Sequence, residues 1–119
     1  MIDHLELRTN RIPDCLRFYN DVLAPLGDVQ QLDGDAKGFG VGPAMDFFLI
    51  AGEPSDHVHF AFAAATRAEV DDVWRAGEVG GHALDRAPAL MPHIHPDYYA
   101  GFLRDPDGRL VEVVCHTAQ

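Results

Sequence analysis

Basic residues are scarce in this sequence. Lys plus Arg number 9 against 19 Asp plus Glu, giving a formal charge of −10 over 119 residues. That field repels polyanions, which argues against nucleic acid or an anionic membrane surface as the main partner. Cysteine is scarce as well. Cys15 and Cys115 cannot make a disulfide framework, so a reduced, cytoplasmic setting is expected, with both thiols acting as small buried hydrophobes. No apolar run approaches the ~18 residues of a membrane span. No basic stretch with a following apolar segment precedes the first strand pattern, so no signal peptide is expected. What remains is an apolar fraction of 47%, enough for a packed core and too high for disorder.

The chain opens with an alternating strand over residues 2–8, in which Leu5 and Leu7 face one way and His4, Glu6 and Arg8 the other. Pro13 suits a first helical turn. Cys15, Leu16, Tyr19, Val22, Leu23 and Leu26 then follow the three-four spacing of a helix with one buried face. Three short strands are predicted at residues 29–32, 38–41 and 46–51, the last apolar on both faces and therefore central in a sheet. The pattern restarts at His57, with His57, His59, Ala61 and Ala63 sharing one face. Thr66 and Glu69 fit a capping box for a second helix, with Val70, Val73, Trp74 and Gly77 inward. Strands are predicted at residues 82–86, 98–104 and 109–115, and a proline-bearing loop at residues 87–96. Asp105-Pro106-Asp107-Gly108 reads as the four-residue loop of a hairpin.

The order is strand, helix, three strands, twice over. This is an internal repeat of two tandem βαβββ modules, residues 1–54 and 55–119, in one α+β domain spanning 1–119. Curved mixed sheets around a cleft are the expected result. His4 and His59 fall at equivalent places on the two first strands. Glu112 is a lone carboxylate in the apolar last strand, and an unpaired buried charge is expensive. Its counterpart in the first module is Phe48. Two imidazoles and one carboxylate are a suitable ligand set for a divalent transition metal with open positions, Fe, Mn, Zn or Ni. His4, His59 and Glu112 are therefore the candidate metal ligands. The bland reading pairs Glu112 with Arg8, Arg104 or Arg109 and leaves the histidines solvated. His57 competes with His59, but two residues along a strand span ~6.6 Å, too far for one ion to take both. Glu6, His57 and His95 are candidate proton movers. Arg8, Phe48, Tyr98 and Phe102 are candidates for touching a substrate, although Phe48 also reads as core and Arg8 as half of a solvent salt bridge worth little.

Four stretches together resemble the vicinal oxygen chelate superfamily of glyoxalase I, bleomycin-resistance proteins and extradiol dioxygenases. They are Ile2-Asp3-His4-Leu5, Phe18-Tyr19-Asn20-Asp21-Val22-Leu23, His59-Phe60-Ala61-Phe62 and Phe102-Leu103-Arg104-Asp105-Pro106-Asp107-Gly108-Arg109-Leu110-Val111-Glu112. The resemblance covers essentially the whole chain, and its last stretch is the most specific. It implies the glyoxalase/bleomycin resistance fold, a homodimer, and a small-molecule substrate bound through two vicinal oxygens to the metal. Lyase, isomerase or ring-cleaving dioxygenase chemistry follows from it. Phe48 departs from the four-ligand glyoxalase I pattern, which supplies a carboxylate there. The alternative implied by the same superfamily is a metal-free protein that sequesters a drug-like molecule, for which the acidic balance suits a cationic ligand.

Overall fold

The computed structural model describes residues 2–119. The first module holds β1 (Leu5–Thr9), α1 (Ile12–Leu23), a 3-10 turn (Ala24–Leu26), β2 (Val29–Asp33), β3 (Ala36–Gly40) and β4 (Phe47–Ala51). The second holds β5 (Phe60–Ala63), α2 (Arg67–Val79), β6 (Ala83–Leu90), β7 (Tyr99–Arg104) and β8 (Leu110–Cys115). Each module forms one four-stranded mixed sheet, in the orders β1-β4-β3-β2 and β5-β8-β7-β6. The two βαβββ units therefore have the same topology. β4 lies inside its sheet, parallel to β1 and antiparallel to β3, as its two apolar faces require.

The modules share one core on the helix side of the sheets. α1 buries Cys15, Phe18, Tyr19, Val22 and Leu23, a stripe at helical spacing. α2 starts at Thr66, whose hydroxyl accepts from the Glu69 N–H, while the Glu69 carboxylate accepts from the Ala65 N–H. Gly77 lets α2 lie close on β7, since a Cβ there would sit 2.3 Å from Leu103 Cδ2. Phe47 joins the modules by contacting Phe60 and Phe62, with ring centroids 6.4 and 5.4 Å away. Cys15 is fully buried, and burial pushes its thiol up to about 11, so it is an inert core residue. Among the described residues no helix is long and apolar enough to cross a membrane.

Two strands differ from the sequence reading. The expected loop at residues 87–96 is strand as far as Leu90, with Pro88 inside it. β6 is an edge strand, and its register slips between Leu84 and Arg86 and again between Arg86 and Ala89. An edge with bulges tolerates a residue that has no N–H to donate. β5 starts at Phe60 and not at His57, because His57 takes φ +51°, which breaks the extended run.

The Asp105–Gly108 loop is tied to both modules. Asp105 Oδ1 accepts from the N–H groups of Asp107 and Arg109, and Gly108 closes the turn at φ +82°. Asp105 Oδ2 accepts from Arg109 Nε at 2.7 Å and from the Tyr19 hydroxyl at 2.5 Å. Arg109 also donates to Asp107 at 3.0 Å and, through Nη1, to the carbonyls of Arg8 and Ser55. All its charge is spent on structure. Removing one partner of a buried pair leaves an uncompensated charge. Arg109→Met is expected to lower stability by ~3–5 kcal/mol in urea unfolding. Arg75→Met, at the exposed Arg75–Asp72 pair, is expected to change it by less than ~1 kcal/mol. Equal effects of the two substitutions would contradict this assignment.

Candidate functional site

Strand register fixes which residues of the two modules correspond. Glu6 pairs with Phe48 in the first parallel ladder, and Ala61 with Glu112 in the second. Glu6 thus matches Ala61 and Phe48 matches Glu112, which makes His4 and His59, two residues earlier, true counterparts. β1 buries Leu7 and Thr9 and leaves Glu6 and Arg8 exposed, so His4, Glu6 and Arg8 lie on the face away from the core. In β8, Val111, Val113 and Cys115 join the shared core. Glu112 points the other way, beside a smaller apolar cluster of Ala100, Phe102 and Val114 backed by Met91, Tyr98 and Leu110.

Glu112 is the centre of the site. Its side chain is only 4% exposed, yet no arginine meets it. Arg109 is held by Asp105 and Asp107, and Arg104 by Asp85 at 3.1 Å. Instead His59 Nε2 lies 2.9 Å from Glu112 Oε1, and the Tyr98 hydroxyl donates to Oε2. Both carboxylate oxygens are therefore engaged, as a buried acid requires. The His59 side chain is 59% exposed, so one edge of this group opens outward. Burial and the neighbouring Glu112 carboxylate push the Tyr98 phenol up to about 12.

The remaining candidates divide. His4 bonds Asp3 at 2.7 Å and sets its ring edge-on to Phe48, with centroids 5.6 Å apart. It borders a cavity of about 190 Å³ with Phe47, Phe60 and Ala61, where the two sheets meet. It does not join His59 and Glu112: among the described residues no three His, Cys, Asp or Glu side chains form a group able to hold a metal. His57 is 94% exposed and reaches only Asp56, at 3.9 Å. It borders a cavity of about 320 Å³ with His59, Arg104 and Leu110. His95 Nε2 lies 2.8 Å from His116 Nδ1, and both rings meet Tyr98 edge-on. Asp97 N–H donates to His95 Nδ1, so His95 carries its proton on Nε2 and His116 accepts it. This pair clamps the Tyr98 ring and so acts on Glu112 indirectly. Phe102 is buried, and Arg86 lies over its ring with Cζ 4.1 Å from the centroid.

Three contributions were not read from the sequence: His116, Arg86, and the bond from Tyr98 to Glu112. Each depends on cross-strand register, which alternation alone does not give. The chemistry of the donor set suits a divalent ion in part. Within one chain, the His59 imidazole, just before β5, faces the Glu112 carboxylate of β8, and no third His, Cys, Asp or Glu donor joins them among the described residues.

No protein-family model matches the chain. The uncharacterized protein PA2024 of Pseudomonas aeruginosa is 32% identical, over 93% of this chain and 85% of that one. A crystal structure of a glyoxalase/bleomycin resistance protein from Albidiferax ferrireducens T118 superposes with a TM-score of 0.83 at 21% identity, covering 97% of this chain and 98% of that one. The lactoylglutathione lyase of Agrobacterium tumefaciens gives 0.68 at 25% identity, over 97% and 92%. With the paired βαβββ modules, these likenesses show the fold: it is the one seen in the glyoxalase/bleomycin resistance/dioxygenase proteins.

The phenols give a direct check on the buried hydrogen bonds. Tyr98 and Tyr99 are raised from 10.0 to about 12 by burial and by the carboxylates of Glu112 and Asp71, and Tyr19 is raised further by burial and Asp105. A raised folded-state value adds stability that is complete below pH 10 and is lost as pH climbs through 12. Absorbance at 295 nm is expected to show no tyrosinate at pH 10 in the native protein and half-ionised phenols once it is unfolded. Native ionisation near pH 10 would contradict the Tyr98–Glu112 bond.

Proposed function

We propose that this protein is a divalent-metal-dependent enzyme acting on a small substrate that chelates the ion through two neighbouring oxygens. The observation that carries the reading is the buried Glu112 carboxylate facing the half-exposed His59 at 2.9 Å from Nε2. His59 and Glu112 would be ligands from one chain, and His4 would come from a second copy. In support, β1 and β5 are edge strands of their sheets, each with one unpaired side able to take up another strand. Cross-pairing of β1 with the β5 of another copy would carry the His4 face toward the His59 face. The homodimer, the residues 1–54 and 55–119 as exchanging modules, and a cytoplasmic setting with both cysteines free belong to the same proposal.

When bound, the ion would supply Lewis-acid polarisation of substrate oxygens. The chain's own residues do the rest. Tyr98 fixes the Glu112 carboxylate, and the His95–His116 pair holds the Tyr98 ring. Ala100, Phe102 and Val114 keep the floor of the site dry. Glu6, on the His4 face, and His57, beside the His59 cavity, are exposed and free to carry a proton to or from substrate. Arg8 and Phe48 would line the same space from the first module. The chemistry would be of lyase, isomerase or dioxygenase type; solved structures of similar fold include a lactoylglutathione lyase and the fosfomycin resistance protein of Mesorhizobium loti.

A second reading, metal-free sequestration of a small molecule, has its own support: both Glu112 oxygens are already satisfied by protein donors. Metal content separates the two. The wild type is expected to retain about one Fe, Mn, Zn or Ni per chain on loading, and His59→Ala, Glu112→Gln and His4→Ala to lose it. Refolding His4→Ala together with Glu112→Gln should restore about one ion per mixed dimer, since one composite site is then intact. No retained metal in the wild type would favour sequestration. No recovery in the mixture would place the site within one chain.

A further inference from the structure

We infer that the cavity between the end of α1 and the free edge of β5 binds a small organic cation, an ammonium group on an apolar chain, with Asp28 as its counter-charge. Neither His59 nor Glu112 lines this cavity, so it stands apart from both readings above.

Asp28 is a buried charge for which the chain supplies no partner. The chain leaves the 3-10 turn through Gly27, at φ +72°, and the Asp28 N–H returns to the Leu23 carbonyl. That turn brings Asp28 inside, where it is 5% exposed. Its Oδ1 has no hydrogen-bond partner among the described residues. Burial first, and then the Asp46 carboxylate, push its carboxyl up to about 6, and no hydrogen bond or cation offsets them. The other buried acids are paired, Asp105 with Arg109 and Tyr19, and Glu112 with His59 and Tyr98. A buried carboxylate without a donor costs stability, and a native fold that keeps one calls for a partner from outside the chain.

The surroundings of Asp28 say what that partner is. Asp28 lines a cavity of about 300 Å³ in which Asp46 is the other charged residue. Leu26, Val41 and Phe62 give it apolar walls. Three consecutive residues of β5, Ala61, Phe62 and Ala63, border it, so it runs along the unpaired edge of that strand. The Ala64 N–H bonds Val114 in β8, and by the two-residue alternation the backbone groups of Ala61 and Ala63 turn to the free edge. An ammonium has three donors and no acceptor. Two can go to the carboxylates and the third to a carbonyl of that edge, with an alkyl chain left for the apolar walls. A divalent metal fits less well. Two carboxylates fall short of the donor number it needs, and among the described residues no third His, Cys, Asp or Glu joins them. The formal charge of −10 favours the approach of cations from solution.

Hexylammonium and 1-hexanol share one alkyl chain and differ in charge. Their binding is followed by amide shifts in two-dimensional NMR, for the wild type, Asp28→Asn and Asp46→Asn. Well above pH 6, the wild type is expected to bind hexylammonium ~10-fold or more tightly than hexanol, with the largest shifts at Ala61, Phe62 and Ala63. The preference should fall below pH 6, where Asp28 loses its charge; Asp46 is the other titratable group facing the cavity. Asp28→Asn should abolish the preference and leave hexanol affinity within ~2-fold, and Asp46→Asn should keep part of it. Without amine, Asp28→Asn should also raise the urea midpoint. A carboxyl raised from 3.8 to about 6 on folding costs stability that is absent below pH 3.8 and complete above 6. A structural Asp28 satisfied by bound water would instead lower the midpoint when replaced, and that result overturns the proposal. Equal binding of the two probes, binding of neither, or a preference that survives in Asp28→Asn overturns it too. So do amide shifts confined to residues away from β5, which would mark general attraction to an acidic surface.

Discussion

A carboxylate placed in an apolar strand is the constraint on which the site depends. Burying Glu112 without partners would cost several kcal/mol. The fold meets that cost with local groups, an imidazole from just before β5 and a phenol from just before β7. Distant arginines take no part in it. The consequence is directional. Tyr98 sits on one oxygen from the protein side, while His59 sits on the other with more than half its side chain exposed. The acid is therefore rigid, dry on one flank and approachable on the other, which are conditions for binding an ion or a polar ligand.

The rest of the molecule holds that arrangement still. Arg109 draws together the β7–β8 loop, the Arg8 carbonyl in β1 and the Ser55 carbonyl between the modules, and Tyr19 reaches the same Asp105 from α1. Phe47 packs across the junction onto Phe60 and Phe62. Both modules thus share a core on one side of their sheets and carry His4 and Glu112 on the opposite faces. The pseudo-symmetry is used unequally: the place of Glu112 in the second module is taken by Phe48 in the first, against which His4 packs edge-on.

The repeat was legible in the sequence because it is written in periods. Alternation gave β1, apolar runs gave β4 and β8, three-four spacing gave both helices, and Asp105-Pro106-Asp107-Gly108 gave the hairpin. The correspondence of His4 with His59, and of Glu112 with Phe48, also followed from counting along strands. What periods do not carry is register across an edge or the turn of a single residue. Pro88 suggested a loop, yet a bulged edge strand accommodates it. His57 suggested an early strand start, yet its positive φ delays β5 to Phe60. The bond from Tyr98 to Glu112, the clamp of His95 and His116 on Tyr98, and the position of Arg86 over Phe102 all arise between strands. The gap between His4 and the other two candidate ligands is of the same kind, since it depends on how the sheets sit and not on what each strand contains.

The account turns on where an ion goes. Anomalous diffraction at the zinc edge, from crystals grown with that metal, tests it most directly. The predicted result is one peak ~2.1 Å from His59 Nε2 and beside the Glu112 carboxylate, with an imidazole of a second copy completing the set. A peak remote from Glu112, or none with the His59–Glu112 hydrogen bond intact, would contradict it.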